Sequence, residues 1–161
     1  MTVNAEAAAK YLARLSGWRL SNLKLQKILY LADLYHTGTH GERLVDEDFE
    51  AWDYGPVLPS VYHLCKYRGS KPVPEEAFLF VEDIDDDSEE ARALRKAWEA
   101  LRHRTAGELV GITHWCGGAW HKRYQPGARG IRITTQDMRE EWEARMRKAE
   151  RKDETEEAVR R

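Results

Sequence analysis

Residues 21–35 read SNLKLQKILYLADLY, and this stretch decides the fold class. Apolar side chains recur in it at three- and four-residue intervals, the period of one face of an α-helix. Ser21 stands where an N-cap is expected, because its hydroxyl can accept a hydrogen bond from a backbone N–H of the first turn. Leu31 and Leu34 widen the apolar face, so this helix is predicted to lie centrally, and Gly38 and Gly41 are predicted to end it.

Other segments carry the same period or helix-capping residues. Helices are predicted over residues 3–16, 59–69 and 89–103, from a capping box of Thr105 and Glu108, over a turn at 119–124, and from Thr135 onward. Residues 77–83 and 131–133 are predicted as short strands. Residues 49–54 alternate in polarity, which predicts an extended segment with Phe49 and Ala51 facing inward and Trp52 and Tyr54 outward. The predicted fold class is mainly α, with a short β element.

The chain length predicts one domain and a tail. At 161 residues, with 42% apolar residues and six tryptophans, the chain can bury its own core. Residues 147–161 are nearly all charged, so they are expected to fray. The predicted division is a domain over residues 1–146 and a charged tail over residues 147–161.

Charge and cysteine content exclude several classes of protein. The formal net charge is −2, so no overall field attracts a polyanion such as nucleic acid. Cys65 and Cys116 give no disulfide framework, and the first residues lack the apolar run of a signal peptide or membrane span. A cytoplasmic protein without a membrane partner is expected.

A search for catalytic or metal-binding patterns finds none that is complete. His114, Cys116 and His121 lack the fourth ligand of a structural zinc site, and Cys116 is expected to be buried. Gly38 is expected to keep His36 and His40 off a shared helical face. The acidic loop lacks the glycine and glutamate of a calcium-binding loop, and no nucleophile elbow or phosphate-binding loop occurs. The prediction is therefore a protein that is not an enzyme and has no metal or cofactor.

Two groups of side chains have both a structural and a binding interpretation. Burial in the core is favoured over partner contact for the aromatic residues Trp52, Tyr54, Tyr62 and Tyr67. A basic segment can contact nucleic acid or an acidic protein surface, although solvated charges are the simpler interpretation. Its residues are Lys122, Arg123, Arg129 and Arg132.

Two blocks of the sequence resemble a known family. The first runs from LSNLKLQKILYLADLY to AWDYGPVLPSVYHLCKYRGS and covers most of residues 20–70; the second is ELVGITHWCGGAWHKRY, within residues 105–124. Together they resemble the SocA-like antitoxin domain, also called Panacea and known as a phage-associated protein family. The motif positions are Leu25, Gln26, Lys27, Ile28, Leu29, Tyr30, Phe49, Ala51, Trp52, Tyr54, Gly55, Pro56 and Val57, followed by His114 and Trp120.

The resemblance implies a bacterial or phage antitoxin that holds a cognate toxin inactive by direct protein contact. It also implies an alternative, an adaptor that delivers the toxin to a AAA+ protease; a nucleic-acid-binding regulator is a further, weaker alternative. The motif positions predicted to contact the partner are Gln26, Lys27, Tyr30, Trp52 and Tyr54. Simple solvation is the plainer interpretation of Gln26 and Lys27, and a buried hydrogen-bonding role for Gln26 is as compatible as partner contact, since buried amides need partners. The motif positions predicted to form the scaffold are Leu25, Ile28, Leu29, Gly55, Pro56 and Val57.

Overall fold

The fold is a helical domain with one small antiparallel sheet, as predicted; the computed structural model describes residues 2–160. The helices are α1 Ala5–Leu15, α2 Asn22–His40, α3 Pro59–Cys65, α4 Glu89–Leu101, α5 Ala106–Thr113, α6 Ala119–Arg123 and α7 Thr135–Arg160. The strands are β1 Glu50–Trp52 and β2 Gly55–Val57. Among residues 2–160, none of the helices combines the length and apolar content that crossing a membrane requires.

Helix α2 lies at the centre, as its wide apolar face predicts. It packs against α1, α3, α4, α5, α7 and β2. Ser21 caps it by accepting a hydrogen bond from the Lys24 N–H. The predicted scaffold positions Leu25, Ile28 and Leu29 have no exposed surface, which confirms their place in the core.

The prediction that Gly38 ends α2 is wrong. The helix continues to His40 and stops at Gly41, whose φ of 77° is the left-handed conformation of a helix C-cap. A Cβ on Gly38 would lie 2.2 Å from the Trp142 ring, so this glycine allows α7 to approach α2 closely. His36 and His40 therefore share a helical face after all, with stacked rings 4.4 Å apart.

The short sheet has the predicted parity. Glu50 pairs with Val57, and Trp52 with Gly55, in antiparallel register. Phe49 and Ala51 are fully buried, as expected for inward positions. Residues 131–133 lie along the other edge of β1, where Ile133 N–H donates to the Phe49 carbonyl at 2.8 Å, which supports the predicted edge strand.

Three local predictions need correction. Residues 77–83 are not a strand: a 3₁₀ turn spans Glu75–Phe78, Phe78 is the fully buried side chain of the segment, and no strand among residues 2–160 pairs with it. Cys116 is exposed, since it lies in the turn between α5 and α6. Helix α7 is capped by Thr134, one residue before the predicted Thr135; the Thr134 hydroxyl accepts from Asp137 N–H.

Helix α7 extends through the segment that was expected to fray. Every residue from Met146 to Arg160 is exposed, while Met138 and Glu141 near its beginning are buried. The boundary near residue 147 thus coincides with the end of the buried part of α7, and its status as a domain boundary stays a prediction.

Candidate functional site

A groove opens beside the N-terminal half of α2, between the β1–β2 turn and α3. Its volume is about 440 Å³. Its walls include Asn22, Gln26, Lys27, Trp52, Tyr54, Tyr62 and Arg129. We call this feature the aromatic groove, since three of these side chains carry aromatic rings.

The aromatic residues of the groove are at the surface, which corrects the prediction that they belong to the core. Tyr54 is 72% exposed and Tyr67, outside the groove, is 63% exposed. Trp52 and Tyr62 are half-buried. The β1–β2 turn projects Tyr54 outward, as strand parity predicts, so no element of the described chain covers it.

Trp52 is held in a fixed position. Its ring meets Tyr62 edge-on at 4.8 Å, and the Arg129 guanidinium lies 4.9 Å from the ring centre on a cation–π contact. Its indole N–H donates to Glu50 Oε1 at 2.9 Å. A rigid aromatic side chain of this kind binds a partner with little loss of conformational entropy.

Gln26 makes the buried hydrogen bonds that its alternative interpretation requires. Its Oε1 accepts from Leu58 N–H at 2.8 Å, and its Nε2 donates to the Leu58 carbonyl at 3.2 Å. The Gln26 amide thus bonds the Leu58 backbone, directly after β2, in the way that a neighbouring strand would. Gln26 fixes the groove wall, and its contact with a partner stays a prediction.

The Lys27 side chain is fully buried. Its ammonium donates to the Pro56 carbonyl at 3.4 Å, a long contact, and no carboxylate of the described residues lies within 4.0 Å of it. Burial lowers the pKa of Lys27 to about 7. A Cβ on Gly55 would lie 2.7 Å from the ammonium, so the glycine, at φ 119°, leaves the space that this side chain fills.

The second sequence block joins the first behind the groove. The Trp120 indole N–H donates to the Trp52 carbonyl at 2.7 Å. His114 stacks on Trp120 with ring centres 3.7 Å apart, and its Nε2 is buried without a hydrogen-bond partner. Burial lowers the pKa of His114, so its ring is neutral at physiological pH.

Tyr30 lies away from the groove and from solvent. Its hydroxyl donates to Glu141 Oε1 on α7 at 2.6 Å, and its ring meets Phe49 edge-on at 5.1 Å. Burial raises the pKa of Tyr30. A role for Tyr30 in partner contact stays a prediction. In the structure, Tyr30 links α2 to α7.

The four basic residues near α6 do not form one patch. Lys122 and Arg123 are paired with Asp137, at 2.9 Å and 2.7 Å. Arg129 lies over Trp52 at the aromatic groove, and Arg132 is exposed beside β1. Only Arg129 of this group belongs to the groove.

The candidate metal ligands are not gathered into a site. Within residues 2–160, no three side chains of the His, Cys, Asp and Glu types are placed to hold a metal ion. His40 is paired instead with Glu89, its Nε2 lying 2.8 Å from Glu89 Oε2.

Asn22 is a groove residue that sequence reasoning missed. Its side-chain Oδ1 is buried without a hydrogen-bond partner. The available signal was its place directly after the Ser21 N-cap, in the first turn of α2.

Comparison with known proteins agrees with the two sequence blocks. A family model described as "Antitoxin SocA-like, Panacea domain" matches residues 25–121, a range that contains Lys27, Trp52 and Tyr54 but stops before Arg129. The chain is similar to Antitoxin SocA of Caulobacter vibrioides (strain NA1000 / CB15N), with 30% identity over 109 residues. That match covers 63% of this chain and 58% of the relative, so the chain spans less than two thirds of the relative's length. No solved structure matches the chain.

Proposed function

The chain belongs to the antitoxin SocA-like, Panacea domain family, and from that membership we propose that it neutralises a toxin protein by binding it directly through the aromatic groove. In this role the chain acts in the cytoplasm by occupying a surface of the toxin, and it needs no catalytic group.

The observation that carries this proposal is the aromatic surface of the groove, where Tyr54 is exposed and Trp52 is half-buried and held in place by its neighbours. Tyrosine, tryptophan and arginine are the residues that most often dominate binding energy at protein interfaces. Trp52, Tyr54, Tyr62 and Arg129 bring all three types to one surface. Tyr54 has no cover within the described chain, which supports a partner as its cover.

Co-expression with the product of the adjacent gene tests the proposal. We expect that product to stop growth alone and to be tolerated together with this chain. Trp52→Ala and Tyr54→Ala should abolish the rescue, because loss of a central aromatic side chain costs about 2 kcal/mol or more at a binding hot spot. Growth on plates and affinity measured by calorimetry with the purified pair are the readouts.

A matched control separates the groove from aromatic exposure in general. Phe80 is fully exposed and lies outside the groove, so Phe80→Ala should rescue growth as well as the unchanged chain. A harmless adjacent product, or full rescue by both groove variants, would contradict the proposal.

The alternatives gain no support from the described residues. Two of the four basic residues, Lys122 and Arg123, are paired with Asp137, and Lys122 also with Glu140, which reduces the positive surface that nucleic acid needs. Within residues 2–160, no surface specifically favours docking on a AAA+ protease.

A further inference from the structure

The Lys27 ammonium is left without a counter-ion at the wall of the aromatic groove. An ammonium can donate three hydrogen bonds, and Lys27 makes one, the 3.4 Å contact with the Pro56 carbonyl. A buried charge is costly unless it is paired. A methionine would fill the same space without this cost, so packing alone does not account for a lysine at this position.

The groove as a whole is suited to an anion. Arg129 supplies a second cation at the exposed side, and Asn22 and Leu23, in the first turn of the 19-residue helix α2 and so at its positive end, line the groove. The carboxylate that lines the groove, Asp53, already accepts a hydrogen bond from the Tyr124 hydroxyl at 2.6 Å. The cations Lys27 and Arg129 therefore outnumber the acidic groups of the groove.

Asn22 distinguishes a peptide from a simple anion. Its buried Oδ1 can only accept a hydrogen bond, and it has no donor in the described chain. A free carboxylate brings no donor and a phosphate brings only its acidic O–H, whereas a peptide backbone brings N–H groups together with its acidic side chains. The aromatic rings of Trp52, Tyr54 and Tyr62 add contact area for the apolar neighbours of such a side chain.

We infer that the aromatic groove binds an acidic peptide segment of the toxin, whose Asp or Glu carboxylate pairs with Lys27 while Arg129 attracts it from the exposed side. This inference rests on the proposed function for the identity of the partner. Lys27 has no exposed surface in the free chain, so on binding its flexible stem turns toward the groove and gives up the long contact with the Pro56 carbonyl and its packing against Gly55.

The test compares affinity and stability in the same variants of the full chain. Lys27→Met should weaken toxin binding on the order of tenfold or more, because it removes one member of a desolvated charge pair. Its thermal midpoint should stay equal or rise, since a buried unpaired charge is replaced by an apolar side chain. Arg129→Gln should weaken binding as well and reduce its dependence on salt. Arg92→Gln, at an exposed arginine of α4 outside the groove, is the matched control and should bind as the unchanged chain does.

Synthetic peptides supply an independent readout. Overlapping peptides of the adjacent gene product are tested in pairs. One member of each pair keeps its Asp and Glu residues, and in the other they are replaced by Asn and Gln. The acidic member of a binding pair should bind more tightly to the unchanged chain, and Arg129→Gln should reduce the difference; this arm holds even if Lys27→Met does not fold. Wild-type affinity in Lys27→Met, or equal binding of acidic and amide peptides, would overturn the inference.

The outcomes separate the inference from the proposed function. If the unchanged chain rescues growth and Lys27→Met binds the toxin with wild-type affinity, the inference of an acidic segment is wrong and the proposed antitoxin role stands. If the unchanged chain does not rescue growth but still prefers the acidic peptides, the proposed antitoxin role is wrong. The inference that the groove binds acidic peptides then stands.

Discussion

At the scale of single residues, Asp33 and Gln26 show how a buried polar side chain is satisfied by the backbone of another segment, whereas Lys27 is satisfied poorly. Asp33 accepts from the Leu44 N–H at 2.7 Å and pairs with Arg43, and so fixes the turn after α2. Gln26 satisfies the backbone of Leu58 in the same way. Lys27 has only a long contact with a carbonyl, so its cost to stability depends on whether it carries a proton.

The pH dependence of stability follows from that cost. The pKa of Lys27 is about 7 in the folded chain against an ordinary 10.5, so between these values the unfolded chain binds more protons. Stability therefore rises with pH in this window and is reduced below it. We expect the free energy of unfolding of the unchanged chain to gain about 2 kcal/mol relative to Lys27→Met between about pH 7 and pH 9.

Urea unfolding of both proteins across this range measures the difference. His114 is the titratable group that lies with Lys27 near Gly55. It is already neutral in this pH range because burial lowers its pKa. Lys24→Met, at a partly exposed lysine of the same helix, should show no such change. Parallel curves for the unchanged chain and Lys27→Met would refute the prediction.

At the scale of elements, Glu141 fastens α7 to the rest of the domain. One of its oxygens accepts from the Tyr30 hydroxyl of α2 at 2.6 Å and from the Ala119 N–H of α6 at 2.9 Å. The other accepts from Arg145, which in turn donates to the Ile112 carbonyl at the end of α5. The carboxylate is almost fully buried, so these contacts are made away from water.

Replacing this carboxylate should destabilise the domain. Glu141→Gln keeps the size of the side chain, but its amide NH₂ cannot accept a hydrogen bond and leaves buried donors unsatisfied. We expect a loss of about 2 to 3 kcal/mol in the free energy of unfolding. Glu143→Gln, on the exposed side of the same helix, should change it by less than about 0.5 kcal/mol. Denaturant unfolding distinguishes them, and equal stability of the two variants would show that Glu141 does not fasten α7.

At the scale of the whole molecule, the part matched by the family model is not a closed unit. Helix α1 precedes residues 25–121 and α7 follows them, and both pack against α2. Without α7, the Tyr30 hydroxyl loses its acceptor and the Trp142 ring leaves the surface at Gly38. The family segment thus depends on elements outside its own borders.

Two truncations test this dependence. Removal of residues 135–161 should abolish cooperative thermal unfolding, because it takes away Met138, Glu141 and Trp142. Removal of residues 149–161 should leave the midpoint unchanged, since the described side chains it deletes are all exposed. Circular dichroism during heating gives the readout. Cooperative unfolding of the chain that lacks residues 135–161 would contradict the prediction. Together, the two truncations also test the domain boundary expected near residue 147.

The amino-acid sequence by itself determined the features that depend on neighbours along the chain. The caps at Ser21 and Thr105, the helical period of α2 and the outward parity of Trp52 and Tyr54 all follow from local hydrogen bonding and side-chain spacing. The family blocks were readable for the same reason, because each is a short continuous pattern.

Only the tertiary structure decided which faces are covered. Lys27 and Glu141 look like solvated charges in sequence, yet the β1–β2 turn buries the first, and docking of α7 against α2 and α6 buries the second. Tyr67 looks like a core residue in sequence, and Tyr54, although outward-facing by parity, was expected to be covered, yet nothing in the described chain packs over either of them. Side-chain period assigns a residue to a face of its helix or strand, but burial depends on which distant element approaches that face, and that information is not local.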